Sequence, residues 1–389
     1  MKPKLAIVAT HPIQHFCPLY RELASRSEFD LEVIFASRQG TEPYFDSGFN
    51  RVISWERPLL DGFESHFLRT PHQVWSHLNR IAPTAVQVYG YAHPIARHAL
   101  LWAKLSRRRV LMVTDSELLR PRRVAVRAAK RAILPLLFRA VDRFLTCGDA
   151  NENYYRNYGV PSERLIRCPF PRDERYYEQL AAHAPQHRAA LRAKLGIPPE
   201  AAVLLSVGKL TASKSHAHIC EAMAKLPADL RRRVRLVLAG DGPERPALQE
   251  SGAILRGFVN LEELPHYYMA ADLYVHPSAI DAHPLAISEA IYFGLPIIAS
   301  SRVGSVGPTD DAQPGRNACV YEWGDIEGLS RTLAAILRDP ASLTRASVES
   351  FRISDRRSLR ITADALAHAV TGAPPCPTNT SYASFASHR

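Results

Sequence analysis

The chain has no Cys-x-x-Cys pair, no Asp-x-Asp and no apolar run long enough to span a membrane. Its six cysteines (Cys17, Cys147, Cys168, Cys220, Cys319 and Cys376) are scattered. That argues against a disulfide framework or a structural zinc site and leaves them as small apolar residues, most of them buried. The longest apolar candidate, 132–138, stops at Arg139, well short of the roughly 20 residues a spanning helix needs. The N-terminal string MKPKLAIVATHP has too short an apolar core for a signal peptide, so a cytoplasmic chain is expected. No aromatic residues interleave the arginine runs at 106–109, 119–131 and 231–235, which speaks against nucleic acid as a partner. No repeat of solenoid period is present.

What is present is enough chain for two domains. The sequence has 389 residues, of which 46% are hydrophobic and 22% charged, as in a globular protein with a large core. A net charge of +11 attracts anions, nucleotide phosphates and anionic lipid among them. Apolar strand-like runs alternate with helical ones: 4–10, 31–37, 85–90, 109–115 and 143–148, then 202–208, 234–240, 253–259, 272–278 and 295–300. Continuous apolar strands imply parallel sheets covered on both faces, and the series occurs twice. The expectation is two doubly wound Rossmann-like α/β domains, 1–170 and 199–345, joined by a polar, strandless linker at 171–198. Residues 346–370 read as C-terminal helices able to pack back on the first domain, and 371–389 as a disordered tail.

Open α/β sheets bind ligands beyond the carboxyl ends of their strands, so residues that follow strands are the candidates. VGKLTASKSH (207–216) follows one. Gly208 permits a tight turn, and Lys209 and Lys214 lie near a helix start that Ser213 or Ser215 could cap. Two ammonium groups there form a diphosphate site, or are simply solvated. AGDGPERPAL (239–248), LRGFV (255–259) and HPS (276–278) follow the next strands.

DAHPLAISEAIYFGLPIIAS (281–300) then reads as loop, helix, turn and strand. Pro284 sits in the first turn, Gly294 at the C-terminal cap, and Pro296 stops the helix. Asp281 precedes the helix and Glu289 lies inside it. Eight residues at about 100° each place them roughly 80° apart, so they are not a stacked pair. They form a ligand clamp, or else a helix cap and a solvated glutamate.

Order and spacing together resemble the family 4 retaining glycosyltransferases, which have a GT-B fold with two Rossmann-like domains facing a central cleft. The matching residues are Gly208-Lys209, Lys214, Gly240-Asp241-Gly242-Pro243, Gly257-Phe258-Val259, Pro277-Ser278, Asp281-x7-Glu289 and Gly294-Leu295-Pro296, over about 200–335. The resemblance implies that Lys209 and Lys214, beside Gly208, hold the donor diphosphate. It gives Glu289 the ribose hydroxyls and Asp281 the donor sugar. The backbone N–H groups of His283, Leu285 and Ala286 face sugar and diphosphate, and Phe258 and Val259 flank the base. The first carboxylate of that pattern is usually glutamate. Asp281 is shorter by about 1.5 Å, so the loop sits closer or the sugar differs.

The first half also resembles a bacterial subgroup of that family, in ATHPIQHFCPLYRELA (9–24), FNRVISWERPLLDGF (49–63) and GDANENYYRNYGVP (148–161). His11 follows the first strand and is given a cleft role. Asp115, with Glu117 beside it, occupies the place where relatives carry a histidine near the reacting sugar, and His93 is the alternative for that role. The basic stretch 120–143 reads as a core helix with a solvated basic face, interrupted by Pro135. The second reading of that stretch is an amphipathic helix making peripheral contact with anionic lipid at the inner face of a membrane.

The resemblance implies a metal-independent retaining hexosyltransferase. It would move a sugar from a nucleotide-diphosphate sugar to an acceptor hydroxyl of unknown identity (glycan, lipid-linked or small molecule), with no cofactor. The alternatives are a GT-B sugar-nucleotide epimerase and a non-catalytic binding subunit of the same fold.

Overall fold

The computed structural model describes residues 2–54, 58–181 and 183–372. The expected tail beyond Gly372 lies outside the described residues, as does Cys376. The chain forms two compact units. Among the described residues, the first takes 2 to Tyr44, then 58 to Asp173, then Arg357 to 372; the second takes Phe45 to 54 and Glu174–Arg356.

In chain order the strands are β1 (Lys4–Ala9), β2 (Asp30–Phe35), β3 (Tyr44–Asp46), β4 (Arg51–Ile53), β5 (Glu64–Phe67), β6 (Ala85–Tyr89), β7 (Arg109–Thr114), β8 (Arg143–Thr146) and β9 (Leu165–Arg167). They continue as β10 (Ala202–Val207), β11 (Val234–Ala239), β12 (Ile254–Leu255), β13 (Leu273–His276), β14 (Ile297–Ser300) and β15 (Ala318–Tyr321). The first unit holds a seven-stranded parallel sheet, β5-β2-β1-β6-β7-β8-β9. The second holds a six-stranded parallel sheet, β12-β11-β10-β13-β14-β15.

Side-chain alternation explains why both faces are buried. In β1, Leu5, Ile7 and Ala9 join one apolar layer while Ala6 and Val8 join the other. In β10, Val203 and Leu205 face one layer and Leu204 the opposite one. Each of the ten runs expected as strands holds a strand, and the 253–259 run keeps the least of its length. The 253–259 run pairs only over Ile254–Leu255, because Gly257 turns to φ +69° and takes the chain out of the sheet.

The stretch 171–198 holds no strand and folds as two helices, Glu174–Ala181 and Ala184–Lys194. Its arginines fix it to the second unit. Arg188 and Arg192 each bond one oxygen of Asp272, at 2.5 and 2.7 Å, and Arg192 Nε donates to the Ala270 carbonyl. The C-terminal helices divide. Pro340–Ser354 packs on the Leu285–Tyr292 helix of the second unit. Leu359–Thr371 buries Leu359, Ala363 and Leu366 in the first unit's core, and Thr362 Oγ1 donates to the Pro169 carbonyl.

The basic stretch meets its main expectation in part. A helix runs over Val124–Arg139 straight through Pro135, and only Leu134 and Phe138 are buried. Leu134 and Phe138 anchor it in the first unit's core, while Val124 (71% exposed), Ile133 (62%) and Leu136 (64%) face outward beside the basic side chains. Cys17, Cys147 and Cys168 are buried, whereas Cys319 is exposed on β15. No helix among the described residues is long and apolar enough to cross a membrane.

Candidate functional site

β10 has β11 on one side and β13 on the other, so the strand order of the second sheet reverses there. Loops leaving the carboxyl ends of β10 and β13 therefore flank the crevice where open α/β sheets bind ligands. These loops carry Lys209 and Lys214 on one side and Ser278 to Asp281 on the other. The first is stitched to the turn after β11. Gly208 N–H donates to the Ala239 carbonyl (3.0 Å), Leu210 N–H to Asp241 (2.8 Å), and Glu244 N–H to Leu210 (2.9 Å). A Cβ at Gly240 would lie 1.8 Å from the Gly208 carbonyl oxygen, so this approach admits only glycine.

A 3-10 turn, Ala212–Lys214, then brings Lys214 to Asp281. The ammonium of Lys214 bonds Oδ2 of Asp281, and His276 Nε2 lies 2.9 Å from the same oxygen. His276 is buried at the end of β13, with Tyr274 Oη 3.2 Å from its Nδ1 and Ser278 Oγ 3.1 Å from its Nε2. Burial alone would push the Asp281 carboxyl up. The hydrogen bond and charge of His276, together with Lys214, outweigh it and hold the group far below the usual carboxylate range. Next to this pair, burial pushes the His216 imidazole down to about 3, with His276 and Lys214 adding to the effect, so His216 is neutral.

Glu289 sits one turn into the helix Leu285–Tyr292. Tyr177 Oη donates to its Oε1 (3.0 Å) and Tyr268 Oη to its Oε2 (2.8 Å). The two tyrosines bond different oxygens of the carboxylate and so fix its orientation. Asp281 and Glu289 are thus held by separate partners, as expected for two groups that do not stack. Pro284 is the N-cap rather than a first-turn residue, and the N–H groups of Leu285 and Ala286 open the helix with no carbonyl within it to bond. His283 is buried before them, its Nδ1 2.9 Å from Ser305 Oγ.

Lys209 has a partner that the sequence did not disclose. Both carboxylate oxygens of Asp46, on β3, lie 2.8 Å from its ammonium. Phe258 and Val259 follow the Gly257 turn and are half-buried, with Val259 packed on the core.

The first-half candidates lie in the first unit. His11 and Asp115 follow β1 and β7, which β6 separates. His11 is half-buried with Nδ1 2.9 Å from Thr10 Oγ1, and burial lowers its pKa. Asp115 is exposed, whereas Glu117 is buried and accepts the Arg120 N–H. His93 caps the helix Pro94–Leu105 by accepting the Ile95 N–H (3.3 Å), a structural task for the alternative histidine.

Among the described residues one group could geometrically hold a metal ion: Glu32, His66 and His77. Its hydrogen bonds oppose that use. Arg80 donates to His77 Nδ1 (3.0 Å), which leaves the His77 proton on Nε2, directed at Glu32 Oε2 (3.3 Å). Lys4 balances the other Glu32 oxygen (3.2 Å). A metal would need the Nε2 lone pair that this arrangement protonates.

Residues 187–350 match the family described as glycosyl transferases group 1. Over 185 residues the chain is 30% identical to a D-inositol 3-phosphate glycosyltransferase of Mycolicibacterium smegmatis, covering 44% of this chain and 41% of the relative. Over 145 residues it is 28% identical to the sulfoquinovosyl transferase SQD2 of Arabidopsis thaliana, covering 36% and 28%. The chain thus spans less than half the length of these curated relatives. The crystal structure of Anabaena HepE in complex with UDP shares the fold, with a TM-score of 0.72, 14% identity, and coverage of 95% of this chain and 100% of that one. The two parallel-sheet units have the fold of the GT-B class, and residues 187–350 are similar to the group 1 glycosyltransferases.

Proposed function

We propose that this chain is a retaining glycosyltransferase. It would move a hexose from a nucleoside-diphosphate sugar to an acceptor hydroxyl without a metal ion or cofactor. The observation that carries the reading is the convergence of Lys214 and His276 on Asp281 at the strand-order reversal, with Glu289 held nearby on the following helix. HepE has been crystallised with UDP and with UDP-glucose, which supports a donor of that class.

In this reading Lys209 and Lys214 neutralise the diphosphate, helped by the first N–H groups of the helix at Leu285 and Ala286. Glu289 accepts from the ribose hydroxyls. Lys214 and His276 both bond Oδ2 of Asp281, so Oδ1 is the oxygen offered to a sugar hydroxyl. The new bond joins the acceptor oxygen to the anomeric carbon as the bond to the leaving phosphate oxygen breaks on the same face. The acceptor proton passes to that phosphate oxygen. The protein supplies positioning and charge. His11 and Asp115 are proposed for the sugar or acceptor side.

We also propose that the enzyme touches an anionic membrane surface. Between residues 118 and 141 there is no acidic side chain, and Arg120, Arg122, Arg123, Arg127, Lys130, Arg131 and Arg139 accompany the outward Val124, Ile133 and Leu136. Flotation with anionic vesicles tests this, and Ile133→Asp with Leu136→Asp should abolish it.

The test of the main reading is nucleotide release from a panel of donors, with and without acceptors. Acceptor-dependent release with the anomeric configuration kept supports a retaining transferase. Release without transfer points to the epimerase reading, and binding without release to a non-catalytic subunit.

A further inference from the structure

The residues assigned to the donor already carry an occupant. The hairpin β3–β4 comes from far upstream in the sequence yet belongs to the second unit. Asp46 presents both carboxylate oxygens to Lys209 at 2.8 Å. Its Oδ1 also accepts the N–H groups of Gly48 (2.8 Å) and Phe49 (3.1 Å), so the turn of the hairpin is folded around the carboxylate that holds the lysine. A Cβ at Gly48 would lie 2.5 Å from Lys209 Cδ, so glycine lets the turn rest on the lysine stem.

The same hairpin also reaches the residues assigned to the base. The Phe49 ring meets Phe258 edge-on, 5.0 Å between centroids, and the Lys209 ammonium stands 4.9 Å from the Phe49 centroid. The Arg51 guanidinium lies 5.2 Å from the centre of the Phe258 ring, and Asn260 Nδ2 donates to the Ser54 carbonyl (3.2 Å). The contacts therefore fall on two places assigned to one ligand: the diphosphate lysine and the turn beside the base.

We propose that the β3–β4 hairpin is a gate over the donor site, in which Asp46 occupies the position of a donor phosphate on Lys209 until the nucleotide displaces it. The inference rests on the donor-site reading given above. Its physical basis is charge. With Asp46 in place, Lys209 and Lys214 are each paired with a carboxylate, Asp46 and Asp281, so an entering diphosphate must compete with an anion already on Lys209. When Asp46 leaves Lys209, one ammonium is free for a phosphate oxygen. The bonds from Lys209 and from the turn's own N–H groups outweigh burial and keep the Asp46 carboxyl below its ordinary range, so protonation near neutral pH does not open the gate. Opening is by exchange of one anion for another. The aromatic contact of Phe49 with Phe258 re-forms only if the bound base leaves room for it.

Calorimetric titration of UDP, ADP and GDP into the full chain, into Asp46→Asn and into Lys214→Ala tests the gate. Asparagine keeps an oxygen for the Gly48 and Phe49 N–H groups and removes the charge from Lys209. The gate predicts that Asp46→Asn binds the preferred diphosphate five- to tenfold more tightly. It predicts no gain for the matching nucleoside, which has no phosphate, and loss of the gain when Lys209→Ala is added. Unchanged or weaker diphosphate binding in Asp46→Asn, while Lys214→Ala still loses affinity, overturns the gate and leaves the donor site standing. Unchanged binding in both variants overturns both.

Discussion

Lys214 and Asp281 form a part-buried ion pair beyond the sheet where its strand order reverses, and the Asp281 oxygen that takes the lysine also takes His276. This explains how a carboxylate one carbon shorter than the usual glutamate is kept ionised and oriented. It leads to a separation of effects. Asp281→Asn frees Lys214 for phosphate, so the affinity for free nucleoside diphosphate should be unchanged or tighter. Turnover with the full donor should fall about 100-fold, or ~2.7 kcal/mol of transition-state stabilisation, because the contact proposed for Asp281 is with the reacting ring. Donor kinetics beside nucleotide titration check it. Parallel losses in both would place Asp281 on the nucleotide instead.

Glu289 should behave in the opposite way. Glu289→Gln replaces the charged acceptor proposed for the ribose and sets an amide N–H against a tyrosine hydroxyl that donates in the wild type. Free-nucleotide affinity should drop by ~1.5–3 kcal/mol. Tyr268→Phe keeps the charge and loses one orienting bond, so it should weaken binding by less, ~0.5–1.5 kcal/mol. A wild-type nucleotide Kd for Glu289→Gln would return that residue to an ordinary structural role.

His216 gives a pH dependence whose sign is fixed. It is neutral when buried, with its pKa at about 3, whereas in the unfolded chain it titrates at about 6.5. Below pH ~6.5 the unfolded state therefore binds the extra proton, and folding stability falls with pH across the window between the two values. Asp281, held low in the folded state, adds its loss only below about pH 4, where the unfolded carboxyl begins to protonate. Denaturation midpoints at pH 7.5 and 5 should differ in the wild type, and the difference should shrink in His216→Gln. An equal difference in both proteins would mean that His216 is not the group responsible.

The proposed metal independence rests on the two lysines assigned to the diphosphate, and the Glu32–His66–His77 group is engaged by Arg80 and Lys4. EDTA should leave the initial rate within about twofold, a change of only ~0.4 kcal/mol. Activity recovered only by adding Mg²⁺ or Mn²⁺ would contradict the lysine-based account.

The sheets were legible because parallel strands buried on both faces are continuous apolar runs, as in VLLSV at β10 and LAIVA at β1. The edge strands β5, β9 and β15 were not, since four residues such as Glu64–Phe67 or three such as Leu165–Arg167 carry no period to read. In the site, the lysines and carboxylates could be found because turns after strands are short and marked by glycine. Their partners could not. His276 lies inside an apolar strand, Tyr177 is over a hundred residues from Glu289, and Asp46 reaches Lys209 from another part of the chain. Such pairings are set by tertiary packing, which local pattern does not encode. The helix at Val124–Arg139 was legible only in part for the same reason: Leu134 and Phe138 reach the core as its pattern suggests, but which apolar residues stay exposed (Val124, Ile133 and Leu136) is set by packing.

The most direct measurement of the central claim is the binding of nucleoside diphosphates to wild type and to Lys214→Ala, followed by turnover of the corresponding donor. One of UDP, ADP or GDP should bind the wild type in preference to its nucleoside, which shows that the phosphates are recognised. Lys214→Ala should lose at least tenfold of that affinity and nearly all turnover, a cost of ~2–4 kcal/mol in transition-state stabilisation, while unfolding as cooperatively as the wild type. A folded Lys214→Ala with wild-type diphosphate affinity and wild-type turnover would contradict the account.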